Sequence, residues 1–162
     1  SGKIYVSRTA GLNGFAGVRW YEMPITSVNA SAGTSNFGTI SGTTYSLNDS
    51  THRWMSSLAV NSSGEIALGY STSKPTSAYP AIAISGRTSS GSGTTIDIGE
   101  SILKFGGGSQ SGGYNRWGDY SRMTVDPVDK CTFWYSTEYY STTSSTWKTF
   151  IRPFVLTSCT KP

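Results

Sequence analysis

Hydrophobic and polar residues alternate in several short segments of the chain, and this period of two predicts half-buried β-strands. Two alternating rows are the clearest, with Ile66, Leu68 and Tyr70 in one and Cys131, Phe133 and Tyr135 in the other. Each row follows a polar turn (61–64 and 126–129), and each turn follows a further short strand pattern (57–60 and 123–125). Strand, tight turn and strand together predict a β-hairpin at both places.

The two hairpins belong to an internal repeat. The segment "HRWMSSLAVNSSGEIALGYS" (52–71) aligns with "NRWGDYSRMTVDPVDKCTFWYS" (115–136), so that Arg53-Trp54 falls on Arg116-Trp117 and Ile66 falls on Cys131. A third strand pattern follows each copy, "YPAIAIS" after the first and "TWKTFIRPF" after the second. Each repeat is therefore expected to hold at least three antiparallel strands.

The N-terminal segment matches the later part of the same repeat. "GKIYVSRT" (2–9) aligns with "GEIALGYS" (64–71), with Ile4 on Ile66, and "AGVRWYEMPI" (16–25) then supplies a third strand. The first copy is thus expected to lack its first strand. We expect one all-β unit over residues 1–162, with a partial repeat at about 1–25 and full repeats at about 40–87 and 100–156.

A period of roughly 60 residues with three or four antiparallel strands is the size of a long β-propeller blade. Two blades and part of a third cannot close a ring, because propellers typically need about 4–8 blades. We therefore expect either further blades upstream or other copies of this chain to complete the ring. A β-sandwich is the alternative architecture, and 162 residues would also fit it.

The turns resemble a motif of known propellers. "VDPVDKCTFW" is similar to the Asp-box hairpin of sialidase-like propellers, and "VNSSGEIAL" is a weaker version with Asn for Asp. The resemblance implies that Asp126 and Asn61 cap their own turns and that Phe133 or Trp134 packs into the blade. Asp129 stands where the motif has glycine.

A wider resemblance covers nearly the whole chain. The combination "RWGDYS…VDP.D.CTFWY…EYY…W" is similar to the C-terminal propeller segment of large secreted bacterial proteins. This resemblance implies a propeller-type fold and a secreted or cell-surface location. It implies no particular activity, because that segment carries no established one.

Composition and charge narrow the function classes. Gly, Ser, Thr, Tyr and Trp are abundant, which favours strands joined by polar turns over helices. Thirteen Lys and Arg against nine Asp and Glu give a net charge of +4, but the basic residues are scattered, so nucleic-acid binding is not expected. No apolar segment approaches the ~20 residues that span a bilayer. The segment "SGKIYVS" lacks signal-peptide features, so we expect any export signal to lie upstream or to have been removed.

Two cysteines, Cys131 and Cys159, are the only ones in the chain. Neither has the spacing of a metal or redox motif, so a disulfide between them is predicted and no metal or cofactor is expected. Closing this loop would stabilise the fold by ~3–4 kcal/mol. Three Asn-x-Ser sequons, at Asn29, Asn48 and Asn61, are candidate glycosylation sites of an exported protein.

Catalytic residues are not expected from the pattern. His52 is the single histidine, and the chain has no G-x-S-x-G segment, so a nucleophilic triad is not favoured. A sialidase-like glycoside hydrolase is the alternative, since Asp119, Tyr120, Glu138 and Tyr139 lie near Arg116. That chemistry also needs three arginines on the substrate carboxylate, and neither Arg19 nor Arg87 occupies the repeat position.

The expected function is therefore a non-catalytic scaffold or a recognition surface for carbohydrate or protein. The predicted ligand-binding residues surround the two Arg-Trp pairs and are expected to border a propeller channel: Arg53, Trp54, Arg116, Trp117, Asp119 and Tyr120. Exposed aromatics beside charged groups suit sugar rings or a protein partner. The opposing interpretation is that each Arg-Trp pair merely joins neighbouring blades. The stretch "FGGGSQSGG" (105–113) is expected to be a flexible connection.

Overall fold

The computed structural model describes residues 2–113, 115–157 and 159. The regular elements of this part of the chain are all β-strands: β1 (Lys3–Leu12), β2 (Phe15–Asn29), β3 (Thr34–Phe37), β4 (Ser41–Tyr45), β5 (His52–Val60), β6 (Ile66–Lys74), β7 (Ala78–Arg87), β8 (Ile98–Lys104), β9 (Arg122–Val125), β10 (Phe133–Tyr139) and β11 (Lys148–Phe154). The predicted all-β class is confirmed.

The strands form three antiparallel sheets. In the first sheet β2 pairs with β1 on one edge and with β3 and β4 on the other. The second sheet is the meander β5-β6-β7-β8, and the third is the meander β9-β10-β11. None of these sheets, as far as the described residues go, closes on itself. The stacked arrangement is compatible with the β-sandwich alternative.

Two strands lie in a different place from the one that the repeat boundaries implied. The segment of β4 fell within the expected repeat 40–87, but β4 pairs with β2 of the first sheet. Most of β8 fell within the expected repeat 100–156, but β8 pairs with β7 of the second sheet. The sheets therefore span residues 3–45, 52–104 and 122–154.

The second sheet lies between the other two, and one hydrophobic cluster fills each gap. Six buried residues join the first and second sheets: Val18, Trp20, Ile66, Leu68, Tyr70 and Ala83. Six others join the second and third sheets: Ala67, Ile82, Ile84, Met123, Phe133 and Tyr135. Because β6 contributes to both clusters from alternate positions, its two faces are both buried, which the alternation of large and small residues in "IALGY" permits.

The third sheet packs closely on the second at one glycine. A Cβ atom on Gly69 would lie 2.7 Å from ring atoms of Tyr135. Only a residue without a side chain lets this ring lie against the backbone of β6. The close packing of the two sheets here thus depends on a glycine in the middle of a strand.

The two repeated turns are closed by their own side chains. The Asn61 carboxamide oxygen accepts hydrogen bonds from the backbone N–H groups of Ser63 (3.1 Å) and Glu65 (3.0 Å). The Asp126 carboxylate accepts one from the N–H of Val128 (2.9 Å) and another from the indole of Trp134 (3.1 Å). The bonds from Ser63, Glu65 and Val128 satisfy backbone donors that the tight turns leave without strand partners.

A disulfide joins Cys131, next to β10, to Cys159 near the C-terminus, with 5.5 Å between their Cα atoms. The predicted bridge is confirmed. It fastens the segment after β11 to the start of the hairpin strand β10.

Candidate functional site

The connection between β8 and β9 (residues 105–121) carries most of the predicted ligand-binding residues and is fastened to the segment after β10. The N–H of Gly107 donates to the Tyr140 carbonyl (2.9 Å), and that of Ser111 donates to the Ser144 carbonyl (2.9 Å). Cβ atoms on Gly107 and Gly108 would overlap the backbone of residues 141–143. The glycine run is therefore required by close backbone approach and is more than a flexible linker.

Trp117 is held in place by three neighbours. Its indole Nε1 donates to the Ser71 hydroxyl at 2.9 Å. Its ring lies 5.2 Å from that of Tyr140 and 6.2 Å from that of Trp54, measured between centroids. Tyr140 is fully buried, and Gln110 donates to its hydroxyl (2.9 Å) and to the Arg116 carbonyl (2.6 Å). These contacts make Trp117 a rigid wall.

A cleft of about 520 Å³ opens beside this wall. Its lining combines aromatic rings with charged and polar groups: Gln110, Arg116, Trp117, Asp119, Tyr120, Glu138, Ser145 and Trp147. A smaller cavity of about 130 Å³ adjoins it and shares Tyr120, Glu138 and Trp147. The cleft therefore lies between the 116–120 segment and the facing ends of β10 and β11.

Two aromatic side chains of the cleft are open to solvent. Tyr120 is 91% exposed and Trp147 is 61% exposed. Exposed rings that flank a cleft leave apolar surface uncovered, and a flat ligand with apolar faces would cover it. Tyr120, Trp147 and the fixed Trp117 thus provide the apolar part of a binding surface.

The charged groups of the cleft differ in how far they are already paired. The guanidinium of Arg116 donates to Asp119 through Nε (2.8 Å) and through a second nitrogen, and this pairing raises the pKa of Arg116. Burial raises the pKa of Glu138, and the charge of Asp119 raises it further, although an N–H from Gly118 opposes the shift. One carboxylate oxygen of Glu138, Oε1, is buried without a hydrogen-bond partner. Glu138 thus lines the cleft with one carboxylate oxygen that is closed off from solvent.

Four of the six predicted ligand-binding residues line this cleft: Arg116, Trp117, Asp119 and Tyr120. Trp54 does not line it and contributes by packing against Trp117. Arg53 lies elsewhere, fully buried, and donates to Glu100 (2.6 Å) and Asp49 (2.7 Å). Burial alone would lower the pKa of Arg53, but these two carboxylates outweigh it and raise the pKa. Repeat-equivalent arginines thus occupy opposite environments.

The predicted ligand-binding residues did not include Gln110, Glu138, Ser145 and Trp147, and Glu138 was named only for the glycoside-hydrolase alternative. Trp147 stands one position before β11 and Gln110 lies in the glycine-rich connection. The one available signal was a tryptophan next to a strand pattern. It could not be assigned to this cleft, because the sequence does not show that β11 lies beside the 116–120 segment.

The three sequons lie in different surroundings. Asn29 and Asn48 are exposed. Asn61 is buried, and its amide nitrogen donates to the carboxylate of Glu65 at 2.7 Å. Modification of Asn61 would require this turn to open, so Asn29 and Asn48 are the sterically available candidates.

The described residues contain no group of three or more His, Cys, Asp and Glu side chains that could hold a metal ion. They also contain no helix with the length and hydropathy needed to cross a membrane. His52 accepts a hydrogen bond at Nδ1 from the N–H of Ala16 (3.1 Å), which is a structural contact.

Comparison with protein-family models, with curated proteins and with solved structures finds no match. The described residues therefore define the protein by structure alone, as an all-β, disulfide-bonded stack of three antiparallel sheets that carries an aromatic cleft.

Proposed function

We propose that the protein is a secreted recognition module that binds carbohydrate in the cleft between Trp117 and Trp147. The observation that carries the proposal is the joint presence of exposed aromatic rings and polar side chains in one cleft. Sugar rings have apolar C–H faces and a rim of hydroxyl groups, so they are bound by aromatic faces with polar groups at the edge. Tyr120 and Trp147 supply the faces, and Glu138 and Gln110 supply the edge.

The charge of the cleft favours a neutral sugar. Arg116 is already paired with Asp119, and it is the one cationic side chain of the lining. That pairing neutralises Asp119, so Glu138 leaves the lining with an excess of one acidic group, which disfavours a sugar acid. We therefore expect neutral pyranoside oligosaccharides to bind in preference to sialylated ones.

The proposal is tested by calorimetric titration of the protein with neutral oligosaccharides of glucose, xylose, mannose and galactose, with a sialylated oligosaccharide as the charge control. Trp147→Ala should weaken binding of the best ligand by about tenfold, because it removes one stacking face. Trp134→Ala is the matched control, since Trp134 is also solvent-accessible but does not line the cleft. Absence of binding across the neutral panel, or unchanged affinity in Trp147→Ala, would contradict the proposal.

A sialidase-like or other glycoside hydrolase is the second candidate. It is favoured by one observation, that Asp119 and Glu138 lie in one cleft and the charge of the first helps to raise the pKa of the second. A carboxyl group with a raised pKa beside a second carboxyl group is what the acid role in glycoside hydrolysis requires. The three-arginine grip of sialidases finds less support, because Arg116 is the only arginine of the lining. If this candidate were right, Glu138→Gln would abolish hydrolysis of an oligosaccharide into shorter products.

We further propose that the three sheets are propeller-type blades of an exported protein, completed by further blades or by other copies. Three successive antiparallel sheets, each stacked on the one before, support this architecture. The Cys131–Cys159 disulfide supports the location, because such bonds persist in oxidising compartments. Alkylation under native and reducing conditions of protein recovered from its producing cells tests the location: a protein with two free thiols would contradict it.

A further inference from the structure

Each sheet of the stack uses the same row of residues to pack on the sheet before it. Ile66, Leu68 and Tyr70 of β6 face the first sheet and contact Val18 and Trp20. The equivalent row in β10 contains Phe133 and Tyr135, and it faces the second sheet. The direction of packing is therefore a property of the repeat, seen twice in this chain.

The first sheet carries the same row on its outer face. Ile4 and Val6 of β1 correspond to Ile66 and Leu68, 62 positions later, and they are 39% and 41% exposed. Their cross-strand partners on this face are Met23 and Tyr21. The Tyr21 ring lies over Gly42, where a Cβ atom would come within 2.6 Å of it. We call this surface, formed by Ile4, Val6, Tyr21 and Met23, the leading face.

The third sheet has a complementary outer surface. Trp134 is 39% exposed, and Ile151 on the neighbouring strand is 61% exposed. These side chains alternate with the buried Phe133 and Tyr135, so they point away from the second sheet. The hydrogen bond from the Trp134 indole to Asp126 fixes the ring in place. We call the surface formed by Trp134, Ile151 and Pro153 the trailing face.

We propose that the leading face of one molecule packs on the trailing face of a second copy of this chain, in the same manner as the sheets pack within the chain. This deepens the self-assembly part of the proposed function and does not depend on sugar binding. The repeat indicates the partner of the leading face. The equivalent rows in β6 and β10 each pack on the preceding sheet, so we expect the row in β1 to pack on a sheet of the same kind, which a second copy supplies. A leading-to-trailing contact is heterologous, so it can repeat until a ring closes.

The repeat also predicts a particular contact. Within the chain, Tyr135 lies over Gly69. Tyr135 corresponds to Tyr70 in the second repeat (offset 65) and to Arg8 in the first (a further offset of 62), and Arg8 lies on the leading face. Gly69 corresponds to Trp134 in the third repeat (offset 65), and Trp134 lies on the trailing face. A guanidinium over an indole is the most favourable cation–π pair. We therefore expect Arg8 of one copy to lie on Trp134 of the next.

The sugar-binding cleft lies at a different end of β10 from this contact. Glu138 stands four positions beyond Trp134 along the strand, close to 13 Å in an extended chain. Trp134 and Ile151 do not line the cleft, and Trp147 does. Assembly and sugar binding are therefore tested by separate substitutions, and failure of one proposal is distinguishable from failure of the other.

The test is analytical ultracentrifugation of wild type and of two charge variants, Val6→Glu on the leading face and Ile151→Glu on the trailing face. The wild type should exceed the 17.3 kDa monomer mass at high concentration, and each variant alone should sediment as a monomer. An equimolar mixture of the two variants should form a dimer that grows no further, because one intact face remains on each partner. Val128→Glu, in an exposed turn outside both faces, should assemble like the wild type.

The Arg8–Trp134 contact is tested by Arg8→Ala, Trp134→Ala and the double variant, measured in the same experiment. Each single change should weaken association by about threefold to fivefold, and the double change should weaken it no more than the stronger single one. Unfolding midpoints within the wild-type range confirm that each variant is folded. A wild type that stays monomeric at all concentrations, or a variant mixture that stays monomeric, overturns the proposal. Loss of assembly in Val6→Glu with none in Ile151→Glu points to a symmetric leading-to-leading dimer and also overturns it.

Discussion

Trp117 of the cleft donates a hydrogen bond from its indole Nε1 to the hydroxyl of Ser71 on β6, 2.9 Å away. Ser71 is fully buried, so the bond joins the wall of the cleft to the middle sheet of the stack. The position of the candidate ligand site is thus set by the second sheet as well as by the third.

Replacing Trp117 by Phe keeps an aromatic ring and removes this donor. We expect the free energy of unfolding to fall by about 0.5–1.5 kcal/mol, measured by urea denaturation, because the buried Ser71 hydroxyl loses a partner. Ser71→Ala in the same background should cause little further loss, since its partner is already gone. A fully additive double variant would show that the two side chains do not interact.

The repeat-equivalent arginines should respond very differently to the same substitution. Arg53→Met leaves the largely buried Glu100 and the partly exposed Asp49 without their shared cation, and we expect a loss of about 3 kcal/mol in unfolding free energy, the lower end of the cost of breaking a buried pair. Arg116→Met breaks an exposed pair with Asp119 that solvent screens, and it should leave the unfolding free energy close to that of wild type. Similar losses for the two variants would contradict the burial that the structure gives Arg53.

Gly69→Ala tests the close approach between the second and third sheets. The new methyl group would strike the Tyr135 ring, so we expect a destabilisation of about 1–3 kcal/mol in chemical denaturation. Gly99→Ala is the matched control in β8, because no heavy atom lies within 4 Å of its Cβ position, and it should be close to neutral. Tyr135→Leu should recover part of the stability in the Gly69→Ala background. A Gly69→Ala protein as stable as wild type would refute the packing.

Removing the disulfide with Cys131→Ala and Cys159→Ala together should lower the unfolding free energy by about 3–4 kcal/mol, because the unfolded chain regains the freedom that the loop removed. The double variant avoids a single free thiol. Reduced wild-type protein should match it in thermal unfolding, and a wild type that is indifferent to reducing agent would indicate that the bridge adds no constraint.

Glu138 should make stability depend on pH in a definite direction. Because its pKa is raised in the folded protein, the folded state holds the proton more tightly than the unfolded chain does. This carboxyl therefore favours folding below its unfolded pKa, and that contribution is lost as the pH rises through the raised value. Glu138→Gln should match wild type at low pH and be the more stable protein near neutrality. Melting temperatures of both proteins across that range measure the difference, and parallel curves would contradict it.

The hairpins could be predicted from the sequence because their signals are local. Alternation in β6 and β10 and the turn residues Asn61 and Asp126 act within a few positions of one another. The two-residue Asn13-Gly14 turn between β1 and β2, with positive φ angles at both residues, is another local signal. The short strands β3, β4 and β8 carry too little alternation to be recognised, and their formation depends on the edges of β2 and β7.

The candidate site was only partly predictable, because its residues come from segments that are separated in the sequence. "WGDY" at 117–120 differed from the matching "WMSS" at 54–57, and it does line the cleft. Trp147 and Gln110 reach that cleft from other segments, through contacts with no sequence signature.

The sequence by itself determined the all-β class, the repeated hairpins and the pairing of the two cysteines, because these follow from alternation, turn chemistry and count. Only the tertiary structure decided that Arg53 is buried between two carboxylates while Arg116 faces solvent. The same Arg-Trp pattern has two outcomes because burial depends on what packs above a residue. The side chains that pack on Arg53 include Glu100, which is 47 positions away in the chain.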